Sequence, residues 1–303
     1  MRPQELCSKF VGSMLSAALG DSMGASLHVR GNRELLKYTD DTAMMIAIAE
    51  ALIESDGKIN PQKLAWKFIE KYDQEPWRGY GPGPPKIFKL IKKGMGPLEL
   101  DRKLYPGGSY GNGAAMRIAP IGLFFHDDFQ ALKAAVKTSC KPTHNHPLAV
   151  EGAMLEAFSV SKAVRTAANQ VIDPVEFVEQ LIVISSSEIY QYKLKAVMKL
   201  VQRETSRREI VKELGNGVES FNSVPTAIYC YLRKQDPLET IRFAISLRGD
   251  VDTIACMAGA IAGAHKGWEV LPGDLLKKLE NREYIENLAK KLCELKLRLR
   301  GGV

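Results

Sequence analysis

The sequence has no apolar run approaching the roughly 18 residues needed to cross a membrane; its most apolar stretches are broken by glycine, serine or charge. It has no Ser-, Pro- or Gly-rich linker either. Its 303 residues are therefore expected to form one domain, 1–303, although the length alone permits two. Cysteine is sparse. Cys7, Cys140, Cys230, Cys256 and Cys293 are odd in number and include no CxxC pair. That argues against a disulfide framework and for buried thiols in a reducing cytoplasm. Strand signals are few; the β-branched run Leu181–Ser187 is short and reads as the end of a helix. No HExxH spacing is present, which leaves zinc hydrolysis unsupported. Ser109 lies outside any GxSxG context, so it has no nucleophile signature.

Helical periodicity dominates what remains. The spacing predicts helices over Asp41–Glu54, Pro61–Tyr72, His146–Ala167, Pro174–Ser185, Glu188–Arg203, Pro237–Leu247, Asp252–His265 and Arg282–Leu299. Asn60 and Pro61 carry a cap-plus-proline start signal. The segment FVGSMLSAALGDSMGA superficially imitates a secretory leader, but Gly12, Ser13 and Ser16 make it a small-residue helix. The fold class read from the pattern is all-α, with long functional loops. Net charge is +7, which suits an anionic small-molecule ligand. The Lys and Arg residues are dispersed among acids on helix faces, so a nucleic-acid partner is not expected.

Two segments are too rich in glycine and proline to read as helix. They are Glu75–Pro85, EPWRGYGPGPP, and Leu104–Ala114, LYPGGSYGNGA. Glycines let a backbone approach a ligand closely, and successive amide groups there can cradle an anion; they also serve as ordinary turns. Two further segments place paired aspartates against apolar helices: YTDDT at Tyr38–Thr42, and GDVDT at Gly249–Thr253. Capping explains one acid at each helix start. It explains two less well, because neighbouring carboxylates repel and resist burial. The alternative is a divalent-metal centre, with Thr39, Asp40 and Asp41 facing Asp250, Asp252 and Thr253. An all-oxygen donor set selects Mg²⁺, Mn²⁺ or Ca²⁺ over zinc, and four carboxylates suit two ions. His144 and His146 precede a predicted helix and are open to either ligand contact or capping.

These residues carry a resemblance. GDSMGA (Gly20–Ala25), YTDDT, RGYG (Arg78–Gly81), SYGNGAAMRIAP (Ser109–Pro120), Thr143-His144 and GDVDTIACMAGAIAGA (Gly249–Ala264) follow one another in the order found in the ADP-ribosylglycohydrolase family, which the chain resembles from about residue 9 to 268. The resemblance implies an all-α orthogonal multi-helix bundle and a dinuclear Mg²⁺ centre, with Mn²⁺ as a substitute. It implies hydrolysis of a bond between ADP-ribose and an acceptor. The metal ligands it implies are Thr39, Asp40, Asp41, Asp250, Asp252 and Thr253, with Asp41 and Asp252 catalytic. Substrate contacts would be Arg78, Gly79, Tyr80 and Gly81 on the adenosine side. Ser109, Tyr110, Gly111 and Asn112 would lie around the diphosphate and ribose, with His144 nearby. The expected partner is ADP-ribose or an ADP-ribosylated substrate, met by a monomer in the cytoplasm.

Two departures stand against the family pattern. His28 occupies the place of a glutamate that, in the branch acting on ADP-ribosyl-serine and poly(ADP-ribose), takes part in catalysis and gates the site; Glu34 lies six residues further on. Arg248-Gly249 replaces a frequent Gly-Gly pair. The first departure keeps open an ADP-ribose-binding protein with weakened catalysis. A purely structural protein of the same fold is disfavoured, because clustered carboxylates are costly without a cation.

Overall fold

In the computed structural model, which describes residues 2–28, 34–98 and 100–301, two helices with almost no polar face run side by side through the centre. They are α1 (Pro3–Ala25) and, late in the chain, α14 (Val251–Lys266). Their contact is made by small residues. A Cβ placed on Gly20 would stand 2.1 Å from the carbonyl oxygen of Ala255, and one on Gly263 would stand 2.1 Å from that of Gly12. The backbones therefore touch, and Ser13 Oγ donates to Ala260 O at 2.8 Å. A helix apolar on every side has to be enclosed, and the other helices do so.

Between them the chain runs α2 (Asp40–Glu54), α3 (Pro61–Gln74), α4 (Gly83–Lys92), α5 (Leu100–Leu104), α6 (Ala119–Phe124), α7 (Phe129–Cys140) and α8 (Pro147–Arg165). It continues through α9 (Pro174–Ile184), α10 (Glu188–Val201), α11 (Arg207–Leu214), α12 (Ser220–Lys234) and α13 (Pro237–Ser246). After α14 come α15 (Gly273–Lys278) and α16 (Arg282–Gly301). Helices α8, α12 and α13 pack around α14, α16 lies along α1 and α2, and α3 covers α2. One apolar cluster links Leu6 to Leu295. Among the described residues there is no strand, only the isolated bridges Leu36–Leu279 and Gly111–Glu219. The molecule is all-α, as the periodicity predicts.

The predicted helices lie within a few residues of the observed ones, and Asn60 Oδ1 caps α3 by accepting from Gln62 N and Lys63 N. The reading of Glu75–Pro85 as non-helical needs one correction. Its last residues open α4, because prolines 84 and 85 occupy the first turn, where a missing amide hydrogen removes no helical bond. The cysteine reading needs a larger correction. Cys7 on α1 and Cys293 on α16 are joined by a disulfide with Cα atoms 5.4 Å apart, while Cys140, Cys230 and Cys256 are free and buried. Adjacent helices bring together two residues 286 positions apart, which spacing along the chain could not show. The inference of a reducing cytoplasm from cysteine usage loses its support. No helix among the described residues is long and apolar enough to cross a membrane.

Candidate active site

The N-termini of α2 and α14 open onto one cavity of about 550 Å³, whose wall includes Asp40, Asp41, Asp250, Asp252 and Thr253. Each helix start is built differently. Thr39 caps α2, its Oγ1 accepting from Asp41 N at 3.3 Å, and it is not part of the wall. Below it lies Asp21, fully buried on α1. Its carboxylate accepts from Thr39 N at 3.0 Å, Thr42 N at 3.1 Å and Thr42 Oγ1 at 2.6 Å. A side chain from another helix thus satisfies the orphan amides of α2, which frees Asp40 and Asp41 from that work. Across the cavity, Asn112 Nδ2 donates to Asp250 at 2.6 Å, and Thr253 N donates to Asp252 Oδ1 at 3.0 Å. Arg248 adopts a left-handed φ of 62° and is exposed, outside the wall, so it does not obstruct the cavity.

Burial and mutual repulsion raise the aspartates' affinity for protons. Asp40 is pushed up to about 8, by burial first and then by Asp21 and Asp252. Asp250 rises to about 6 through burial and the neighbouring Asp252. Asp41 is raised well above the usual carboxylate range by burial, Asp21 and Asp40, and its Oδ2 is buried without any partner. Among the described residues no three His, Cys, Asp or Glu side chains form a ready-made ligand cluster. The donor set nevertheless fits a hard divalent cation. All the donors are oxygens, one carboxylate oxygen is orphaned, and added positive charge would relieve the crowding.

The opposite wall is the glycine loop. Ser109, Tyr110, Gly111, Asn112 and Gly113 line it, together with His144. Asp101 latches this loop, accepting from Asn145 N at 2.5 Å, Asn145 Nδ2 at 2.6 Å and Ser109 N at 3.3 Å. Tyr110 is half exposed and meets His146 edge-on, with ring centroids 5.6 Å apart. His146 caps α8, its Nδ1 accepting from Leu148 N at 3.1 Å. Gly79 and Gly81 reach the wall from the second loop, but Arg78 and Tyr80 do not. Arg78 is buried, forks onto Glu75 through two 2.7 Å bonds, and donates to Tyr38 O and Glu280 at 2.7 Å each. Its guanidinium covers the Tyr38 ring at 3.9 Å, and its role is to tie the loop to α15's exit. Tyr80 packs edge-on against Tyr72 at 5.1 Å.

Asp21, Asp101 and Arg117 are site residues that sequence reasoning missed. Arg117 also lines the cavity, fully buried. The one available signal for Asp21 and Arg117 was a charge inside an otherwise small or apolar run. His28 ends a short 3₁₀ turn, Ser26–His28, and residues 29–33 lie outside the described residues. Glu34 is exposed.

Comparisons with known proteins point one way. Residues 2–300 match the family model described as ADP-ribosylglycohydrolase. The chain is 36% identical to "ADP-ribosylhydrolase ARH3" of Mus musculus, over 94% of this chain and 91% of that one. It is 34% identical to the Homo sapiens protein of the same name, over 94% and 93%. A solved "ADP-ribosylglycohydrolase-related protein complex" superposes with a TM-score of 0.73 at 22% identity, covering 97% of this chain and 99% of that chain; at that identity the likeness shows the fold.

Proposed function

The chain belongs to the ADP-ribosylglycohydrolase family, and from that premise we propose a cation-assisted hydrolase that binds ADP-ribose in the 550 Å³ cavity and releases its acceptor at the anomeric carbon. An ADP-ribosyl glycohydrolase activity follows from the family; the metal requirement and the residue roles are the proposal. One observation carries it. Four aspartates from two helix mouths face a glycine loop across a single cavity, and an oxygen of Asp41 is left without a partner.

Asp40, Asp41, Asp250, Asp252 and Thr253, on the cavity wall, would hold two Mg²⁺ ions, or Mn²⁺ in their place; Thr39, which the family resemblance adds to that set, caps α2 and stands outside the wall. When bound, such cations neutralise the carboxylates and orient the sugar hydroxyls beside the scissile bond. Ser109 N, Gly111 N and Asn112 N already donate to Asp101, Ser109 Oγ and Val218 O, so the glycine loop at Ser109–Asn112 serves the diphosphate by letting it approach closely, as Gly79 and Gly81 do for the adenosine side. Asn112 fixes the rotamer of Asp250 through its 2.6 Å bond. Asp41 and Asp252 face the reacting carbon, where an oxocarbenium-like charge develops. One carboxylate stabilises that charge and the other accepts a proton from the attacking water; as the bond to the acceptor breaks, that proton passes to the departing acceptor, so water is divided between the two products. His28, standing in place of the family's glutamate, favours a second reading: a protein that retains ADP-ribose binding with turnover weakened.

Calorimetric titration of ADP-ribose into Mg²⁺-loaded and EDTA-stripped protein tests the proposal. Binding that depends on Mg²⁺ supports it, and equal binding in both states removes the cations from the site. Replacing Asp252 by Asn should reduce hydrolysis of ADP-ribosylated protein by about a hundredfold or more. Undiminished turnover in that variant would refute the assigned role. Tight Mg²⁺-dependent binding by the wild type without turnover on any ADP-ribosyl acceptor would select the second reading.

A further inference from the structure

Arg117 heads the fully buried side chains by volume and has no carboxylate partner among the described residues. Its guanidinium lies 4.3 Å from the centroid of the Phe68 ring. One terminal nitrogen meets Met44 Sδ at 3.6 Å. The other donates to Ser139 O at 3.3 Å and to Thr143 Oγ1 at 2.7 Å; Nε has no partner. Asp40 acts on it across the cavity, but no carboxylate pairs with it directly, and a buried cation without a direct ion pair is costly.

The role of Arg117 lies two bonds away. Thr143 Oγ1 is also 2.7 Å from His144 Nδ1. A guanidinium can only donate, so the threonine oxygen accepts from Arg117. The hydroxyl's single proton then has His144 Nδ1 as its sole acceptor among the described residues. Thr143 is 1% exposed, and leaving that proton unmet would be costly. Burial, reinforced by Arg117, holds His144 down to about 3, so the ring is neutral at physiological pH. A neutral imidazole that accepts at Nδ1 must carry its hydrogen on Nε2. That atom faces the glycine loop: a Cβ placed on Gly113 would stand 2.9 Å from it, and one on Gly111 3.6 Å. Nε2 makes no hydrogen bond to the described residues, and His144 lines the cavity.

We infer that Arg117 and Thr143 are positioning residues that lock His144 as its Nε2–H tautomer, making it a neutral hydrogen-bond donor to an oxygen of the bound ADP-ribose. The ligand in this inference rests on the function proposed above; the tautomer does not. The chain Arg117 to Thr143 to His144 polarises each successive donor toward the ligand, with the guanidinium itself in the cavity wall.

The test uses Thr143, because removing a fully buried arginine endangers the fold. In ligand-free protein labelled with ¹⁵N-histidine, His144 Nδ1 is expected to show the shift of an unprotonated acceptor nitrogen and Nε2 that of a protonated one. Thr143→Val removes the hydroxyl at constant shape. It should abolish this bias and weaken ADP-ribose binding roughly tenfold. Thr143→Ser should retain both. A wild-type His144 protonated on Nδ1 overturns the inference, and that measurement decides even if the valine variant does not fold. A folded valine variant that binds ADP-ribose like the wild type overturns it too. Absence of any ADP-ribose binding by the wild type sinks the proposed function and the ligand half of this inference, while the tautomer is still read independently.

Discussion

Asp21 accepts three hydrogen bonds, from Thr39 N, Thr42 N and Thr42 Oγ1, and thereby sets where α2 begins. Replacing it with Ala strands all three donors in the interior. The expected loss is about 3 kcal/mol in denaturant titrations, with metal-dependent ligand binding lost as well. A second buried acid, outside the cavity wall, offers a pH readout. Glu156 is buried with both carboxyl oxygens unpartnered, and burial raises its pKa well above the ordinary 4.5. Because the folded value exceeds the unfolded one, its contribution is fully present below the unfolded pKa and is lost as pH rises toward the folded value. Glu156→Gln does not titrate. Its stability relative to the wild type should therefore grow with pH above about 4.5, by up to roughly 1.4 kcal/mol per unit. A stability difference independent of pH between about 5 and 8, where proteins tend to be most stable, would contradict this. The paired aspartates were legible in the sequence, because two acids against an apolar helix are more than capping requires. Asp21 and Arg117 were not: their partners stand 18 to 73 residues away, and only the folded chain brings them together.

At the scale of elements, the site depends on how closely α1 and α14 approach. Gly24 abuts the backbone of Asp252, where an added Cβ would lie 2.5 Å from its Cα, so the same contact that packs the helices places a site carboxylate. Gly263→Ala puts a methyl group 2.1 Å from Gly12 O. That should destabilise the protein by about 3 kcal/mol and lower ligand affinity alongside. Thermal melts and calorimetry on the same sample check both. The helices with strong periodicity and a capping signal were readable to within a few residues. Helix α12 was not, since Pro225 lies inside it and breaks the pattern that a helix reading relies on. Helix α4 was hidden for a related reason: its prolines look like loop residues until the first turn is recognised.

For the whole molecule, the fold class follows from composition and period, but the tie between Cys7 and Cys293 does not. Loop closure over 286 residues predicts that Cys293→Ala lowers stability by up to about 5.6 kcal/mol in oxidised protein and changes little in reduced protein. The same bond alters what a protease can accomplish. Almost every peptide link of the chain lies between the two bridged sulfurs, so one cut in an exposed loop such as Lys93–Leu98 opens a ring and releases no fragment. On a denaturing gel the nicked protein should migrate as a single covalent species, and it should fall into two pieces only when a thiol reductant is added.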